Sequence, residues 1–150
     1  MRKWMIALCA LICLMVPVKA AAAAPETQIL FSESDEDLVK TIAMAEAGNQ
    51  GPDGMWLVMS VVMNRVSSED FPDTISEVIY QKSQFATVSN GSFDKVREYS
   101  KDCDEAFERI RDGDIAPMII GFETVRSSVL DRYAQYVFTY RDHKFYVKKE

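Results

Sequence analysis

Apolar residues along the chain fall into blocks whose spacing changes from one block to the next, and the changes predict an order of elements. The first block, Trp4 to Val18, is a continuous apolar run broken by Pro17. Arg2 and Lys3 precede it, and Lys19 and the alanines from Ala20 to Ala24 follow. The run is shorter than the roughly 20 residues a helix needs to cross a bilayer, whereas a basic start, a short apolar core and small residues match an export signal. Residues 1–24 are therefore expected to be a signal peptide, cleaved between Ala20 and Ala24, with an uncleaved anchor as the alternative, and the mature protein is expected to work outside the cytoplasmic membrane. Residues 25–36, with Pro25, Ser32, Ser34 and the acids Glu33, Asp35 and Glu36, are expected to form a flexible leader.

Helical spacing begins after the leader. Leu38, Val39, Ile42, Ala43 and Ala45 predict a helix over 37–47 with Ser34 as its cap. Gly48-Asn49-Gln50-Gly51 stops it, and Pro52-Asp53-Gly54 opens a second helix over about 53–67. That second helix is apolar nearly all round, from Met55 to Val66, so it belongs in the middle of a domain. Its exceptions are a narrow stripe of Ser60, Asn64 and Ser67 beside Trp56, and Arg65 on the opposite side. Trp56 is read as core rather than as a sugar platform. Thr74-Ile75-Ser76-Glu77 is a capping box for a short helix through Tyr80, and residues 81–85 are expected to be irregular. Val96, Tyr99, Cys103, Ala106, Phe107 and Ile110 mark one face of a long helix ending at Gly113. Beyond Pro117 the period shortens to short β-like runs at Met118–Ile120, Tyr136–Tyr140 and Lys144–Val147, the last two rich in aromatics and suggesting a hairpin. The fold class is thus α+β, predominantly helical, with a small C-terminal β element. Residues 37–150 form one domain.

Against this pattern one residue stands out. Glu46 sits near the end of the first helix, flanked on the wheel by Leu38, Ile42 and Ala45 on one side and by Val39 and Ala43 on the other. Burial raises a carboxyl pKa, so an acid in such a place could serve as a general acid; a surface Glu at a frayed helix end is the plain alternative. Composition narrows the partners. The whole chain carries 17 basic and 23 acidic residues, and Arg2, Lys3 and Lys19 lie in the signal, so the mature domain is more acidic than the whole-chain net charge of −6. Such a domain is poorly suited to nucleic acid or an anionic membrane, and a neutral or sugar-rich substrate suits it better. Cys9 and Cys13 leave with the signal, so Cys103 has no intramolecular partner, and its place on an apolar stripe makes it a buried, inert thiol. His143 is the only histidine and cannot by itself build a three- or four-ligand metal site; no metal and no cofactor is expected. It could brace the hairpin or touch a substrate. Asn64 could orient Glu46, contact a substrate hydroxyl or acetamide, or bond a neighbouring loop's backbone.

Several fragments occur in a telling order: Ala45-Glu46-Ala47, Gly54, Val61-Val62-Met63-Asn64-Arg65-Val66, Phe71-Pro72-Asp73-Thr74-Ile75, Val78-Ile79-Tyr80, Gln84-Phe85 and His143-Lys144-Phe145-Tyr146. Together they resemble the SleB/CwlJ-like cell-wall hydrolases, the family of the spore cortex-lytic enzymes, from about Leu38 to Tyr146. The resemblance implies a lysozyme-like, lytic-transglycosylase-like domain that cuts peptidoglycan glycan strands between N-acetylmuramic acid and N-acetylglucosamine, with Glu46 as the catalytic acid. Asn64, Gln84, Phe85, Tyr140 and His143 are the candidate substrate contacts around it. A second glutamate often follows the Glu-Ala pair in the family, and here Gln50 holds its place. Glycosidases that hydrolyse use a second carboxylate, and Asp53, Asp70 and Asp73 lie in or next to loops that could supply one, with nothing in their spacing to choose among them. A transglycosylase needs only Glu46.

Two other classes compete. A non-catalytic module could bind peptidoglycan or a partner through the aromatic hairpin, with Tyr136, Tyr140 and Tyr146 exposed, and a Cys103–His143 peptidase is formally available. No wall-binding repeat is present in the chain, so targeting is expected from the domain itself or from an accessory wall protein, and the oligomeric state is open.

Overall fold

A computed structural model describes residues 28–150. The expected signal peptide and the start of the leader lie outside those residues.

The first helix, α1 (Glu33–Ala47), starts four residues earlier than its apolar spacing predicts. Its cap is Ser32 rather than Ser34: the Ser32 hydroxyl accepts from Asp35 N at 3.1 Å, and Glu33, Asp35 and Glu36 fill the first turn, where the helix dipole favours acids. The turn out of α1 depends on Gly51, whose φ of 72° lies in the left-handed region that side chains with a Cβ rarely adopt. The second helix, α2 (Gly51–Val66), follows at once. Met55, Val58, Met59, Val61 and Val62 are wholly buried, so α2 is surrounded, as its apolar circumference requires.

Around it lie α3 (Ile75–Tyr80), the single turn α4 (Ala86–Ser89) and α5 (Lys101–Arg111). The capping box at Thr74 forms, with Glu77 N donating to Thr74 Oγ1. Helix α5 is shorter than its apolar stripe. Ser100 caps it through Cys103 N, so Val96 and Tyr99 lie in the non-helical stretch before it, Tyr99 packed against the core and Val96 half-buried. Apolar spacing cannot separate a helix from a non-helical lead-in that covers the same core. α4 lies in a segment too short to show a period.

Strands β1 (Ile119–Thr124), β2 (Ala134–Tyr140) and β3 (His143–Lys148) form an antiparallel sheet in the order β1-β3-β2. The expected hairpin is β2–β3. β1 extends past Ile120 to pair Phe122 with Phe145 and Glu123 with Lys144. One sheet face, led by Phe145, packs with Ile119 and Ala116 against Leu57 and Val61 of α2. On the other face Tyr146 is fully buried, contrary to the exposure expected for it; a register shift in β2 between Tyr136 and Phe138 sets Tyr136 edge-on to Tyr146, and Tyr140 is half-buried. Only Tyr136 of the three remains exposed.

Ser60 and Asn64 of the polar stripe of α2, together with Arg65 from outside it, dock the sheet. Ala116 N donates to Ser60 Oγ at 3.0 Å, Asn64 Nδ2 donates to Ala116 O at 2.8 Å and Ile119 O at 2.9 Å, and Arg65 Nε donates to Ile120 O at 2.7 Å. These bonds satisfy buried carbonyls that would otherwise be costly.

Candidate active site

Glu46 occupies the last turn of α1, half-buried, where the buried face of the helix opens toward α4. Thr87 meets it there. The Thr87 hydroxyl donates to Glu46 Oε1 at 2.6 Å, with Thr87 N at 3.4 Å from the same oxygen, and Oε2 accepts from none of the described residues. A cavity of about 250 Å³ opens beside this carboxylate, walled by Glu46, Gln84, Ala86, Phe122, Glu123, Thr124, Ser127 and His143. A second hollow of about 620 Å³ shares Gln84, Ala86, Phe122, Glu123 and Ser127 with the first and carries the groove on toward Asn90 and Arg65. The groove therefore lies along the seam between the helices and the β1 edge of the sheet. A separate open depression of about 380 Å³ at the start of α1, beside Glu33, Asp37 and Phe93, holds none of the candidate groups.

Of the residues singled out in the sequence, Glu46, Gln84 and His143 come together in this wall. Three others do not line it. Asn64 is spent on the Ala116 and Ile119 carbonyls. Phe85 is buried, its ring 6.1 Å from that of Phe122, and supports the wall from behind. Tyr140 lies over the turn between α1 and α2, with its hydroxyl 3.5 Å from Gln50 O and its ring against Gly54, where an added Cβ would sit 3.3 Å from Tyr140 Cε1 and 2.5 Å from Gln50 Cβ.

His143 is buried, 4.8 Å centroid to centroid from Phe122, and Gln50 Nε2 donates to its Nδ1 at 3.2 Å. Burial lowers its pKa below 6.5, so the imidazole is neutral at neutral pH. Gln50, at the position where a second family glutamate is expected, is thus a buried neutral partner of a neutral histidine.

A second carboxylate is nevertheless present, and sequence reasoning missed it. Glu123 on β1 lines the same cavity. Its Oε2 accepts from Ser127 Oγ, Val129 N and Leu130 N, and its Oε1 from Tyr146 and, as an ion pair at 3.2 Å, from Lys144. Burial alone would raise its pKa, yet these donors together hold it at about 2. The aspartates considered for that place lie elsewhere: Asp53 pairs with Arg109, Asp70 with Lys148, and Asp73 is exposed on its loop. The available clue was an acid inside the alternation Gly121-Phe122-Glu123-Thr124, the same kind of misplaced charge that marks Glu46.

Cys103 is fully buried, its Sγ 3.7 Å from Lys40 O, and burial pushes its thiol up to about 12. It has no contact with His143, whose partner is Gln50, so a Cys–His dyad does not form.

The sequence model of the cell wall hydrolase family matches residues 49–146, the stretch that holds Gln50, Gln84, Glu123 and His143. The chain belongs to this family. Among curated relatives, the spore cortex-lytic enzyme of Oceanobacillus iheyensis is 34% identical over 73 residues, covering 45% of this chain and 26% of the relative. That of Bacillus cereus is 33% identical over 61 residues, 41% of this chain and 24% of the relative. The chain therefore spans about a quarter of the length of these relatives. The catalytic domain of the Bacillus cereus SleB protein superposes with a TM-score of 0.66 at 19% identity, covering 84% of this chain and 99% of that domain. The catalytic domain of the germination-specific lytic transglycosylase SleB from Bacillus anthracis gives 0.64 at 21% identity, over 77% and 96%. At that identity the likeness establishes the fold of this cell wall hydrolase family member: α+β, mainly helical and lysozyme-like.

Proposed function

We propose that this domain degrades peptidoglycan, cutting the glycan backbone between N-acetylmuramic acid and N-acetylglucosamine as a lytic transglycosylase, with Glu46 as general acid and then general base. The observation that carries this is the division of labour between the two carboxylates of the groove. Glu123 is saturated with donors and ionised down to about pH 2, so it cannot deliver a proton at neutral pH. Glu46 lines the cavity and is bonded through Oε1 alone, which leaves Oε2 without a partner among the described residues and free to carry one.

In this mechanism the Thr87 hydroxyl fixes the carboxyl plane. Glu46 protonates the glycosidic oxygen as the bond from C1 of muramic acid breaks, and positive charge develops on the sugar ring. The C6 hydroxyl of the same residue then attacks C1 and gives its proton to the Glu46 carboxylate, which restores the acid and closes an anhydro ring. No protein nucleophile and no second proton carrier is required. Glu123 acts as a positioning residue: by gathering Ser127, Val129 and Leu130 onto β1 it holds one wall of the groove. The family assignment and the description of a fold neighbour as a lytic transglycosylase support this choice.

Glu46→Gln is expected to abolish release of glycan fragments from purified sacculi, a loss of at least about a hundredfold for removal of the acid, while sacculus binding persists. Unchanged release in a folded variant rejects the mechanism. Mass spectrometry of the early wild-type products is expected to find anhydromuramic ends, and intact reducing muramic ends alone would mean hydrolysis instead.

A further inference from the structure

Arg65 has no role in the chemistry above, and its setting is unusual. It lies on α2 with 6% of its surface exposed, so its guanidinium is dehydrated. Among the described residues no carboxylate pairs with it. Its one hydrogen bond is from Nε to Ile120 O, and its buried Nη1 has no partner. Phe71 and Phe85 rings lie 5.0 Å and 5.2 Å from its Cζ. Burial lowers its pKa to about 10, which still leaves it cationic at neutral pH. Burying a charge without a counter-charge is expensive, and an apolar side chain between the two rings would avoid that cost.

The position gives the cation a purpose. Arg65 lines the 620 Å³ hollow that continues from Glu46's cavity, and it also lines a further hollow of about 320 Å³ with Gln84, Gly121, Leu130 and Tyr133. It is the one cationic side chain along these three hollows. Glu123, the other charge near the middle, is already answered by Lys144. Gly121 lies beside Arg65: a Cβ there would be 3.3 Å from Leu130 Cδ1 and in ordinary contact, 3.9 Å, with Arg65 Nη2.

We infer that Arg65 forms an anion subsite of the groove, taking a carboxylate of the muramyl side arm while the adjacent glycosidic bond lies at Glu46. This rests on the peptidoglycan assignment and adds to it a charge requirement. The carboxylate has two sources: the lactyl carboxyl of a muramic acid without peptide, or the carboxylates of a stem peptide. A guanidinium suits either, because it offers planar paired donors.

The test measures binding apart from catalysis. Soluble glycan strands are prepared peptide-free, with free lactyl carboxylates, and peptide-bearing; each is also converted to its amide. Calorimetric titration of the Glu46→Gln protein is expected to give about tenfold weaker binding for the amidated form of whichever strand carries the recognised carboxylate, the size expected for one charge-assisted hydrogen-bonded pair. Adding Arg65→Met is expected to remove that preference, and Arg65→Lys to keep part of it. Equal binding of free and amidated strands by the Glu46→Gln protein overturns the inference, even if wild-type protein cleaves glycan. A preference that survives in a folded Arg65→Met variant overturns it too. If Arg65→Met does not fold, the Arg65→Lys variant and the amide comparison decide. An active enzyme with no charge preference leaves the glycan-cleaving function standing, whereas binding with charge preference but no cleavage by wild type would remove the enzyme function and keep the subsite.

Discussion

The contact between Gln50 and His143 is a pair of neutral groups in a place where water is excluded, so changing one of them to a charge has a calculable sign. In the native protein, burial lowers the imidazole pKa, so the unfolded chain takes up a proton more readily and stability falls as pH drops through about 6.5. Gln50→Glu puts a carboxylate 3.2 Å from Nδ1 and is expected to raise the pKa above 6.5, reversing the slope: the added stability is present below 6.5 and lost as pH rises through the new value. His143 is the only histidine, so its proton resonance in an NMR titration reports the shift without assignment. A value still below 6.5 in the variant would refute the contact. Glu123 has the same sign as the native histidine and the opposite sign to the Gln50→Glu variant. Its depressed pKa contributes stability that is complete above about 4.5 and disappears as pH falls to about 2. Urea melts of wild type and Glu123→Gln are expected to differ at pH 7 and to converge across that window. A constant gap would mean that the carboxylate's charge is not what holds the 127–130 segment.

At the scale of elements, the polar side chains of α2 are the device that aligns the two halves of the groove. Helix α1 brings Glu46 and β1 brings Glu123, and α2 packs against both while its Ser60, Asn64 and Arg65 bond the segment that leads into β1. Asn64 carries two of those bonds. Asn64→Leu fits a similar volume but strands two carbonyls, and is expected to cost about 2 to 4 kcal/mol in urea denaturation with an unchanged m-value. A cost below about 1 kcal/mol would show the segment to be anchored by packing alone. Because β1 is an edge strand, a small slide of that segment moves Phe122, Glu123 and Thr124 together relative to Glu46.

Over the whole molecule, a helical layer and a three-stranded sheet meet at one seam, and the seam is the groove. The helical layer was legible in the sequence because its cause is local. Apolar residues all round α2 mean enclosure, and the acid among apolar neighbours at the end of α1 marks Glu46. What stayed hidden depends on pairing at a distance. Tyr146 looks exposed in an alternating strand, but the register shift in β2 and the Glu123 and Asp131 carboxylates across the sheet bury it. Glu123 gains its meaning from Lys144 and Tyr146, more than twenty positions away. Tyr99 mimics a helical position because it serves the same core from the non-helical stretch before α5. Asn64 shows the limit in another way: its position was evident, but its partners, Ala116 and Ile119, lie some fifty residues on.

The strand order β1-β3-β2 has a consequence for how the molecule assembles. β3 follows both neighbours in sequence yet lies between them, so β1 cannot hydrogen-bond into the sheet until β3 has arrived. The pairing of α1 with α2 closes only a short loop and can form early, whereas joining β1 to β3 closes a loop of some twenty residues and is the slower event. A chain stopped between those events has Glu46 in place and no opposite wall. In pulse-labelling hydrogen exchange during refolding, amides of α1 and α2 should gain protection before those of β1, and glycan cleavage should appear with the later phase. Simultaneous protection would show that the two layers fold as one unit.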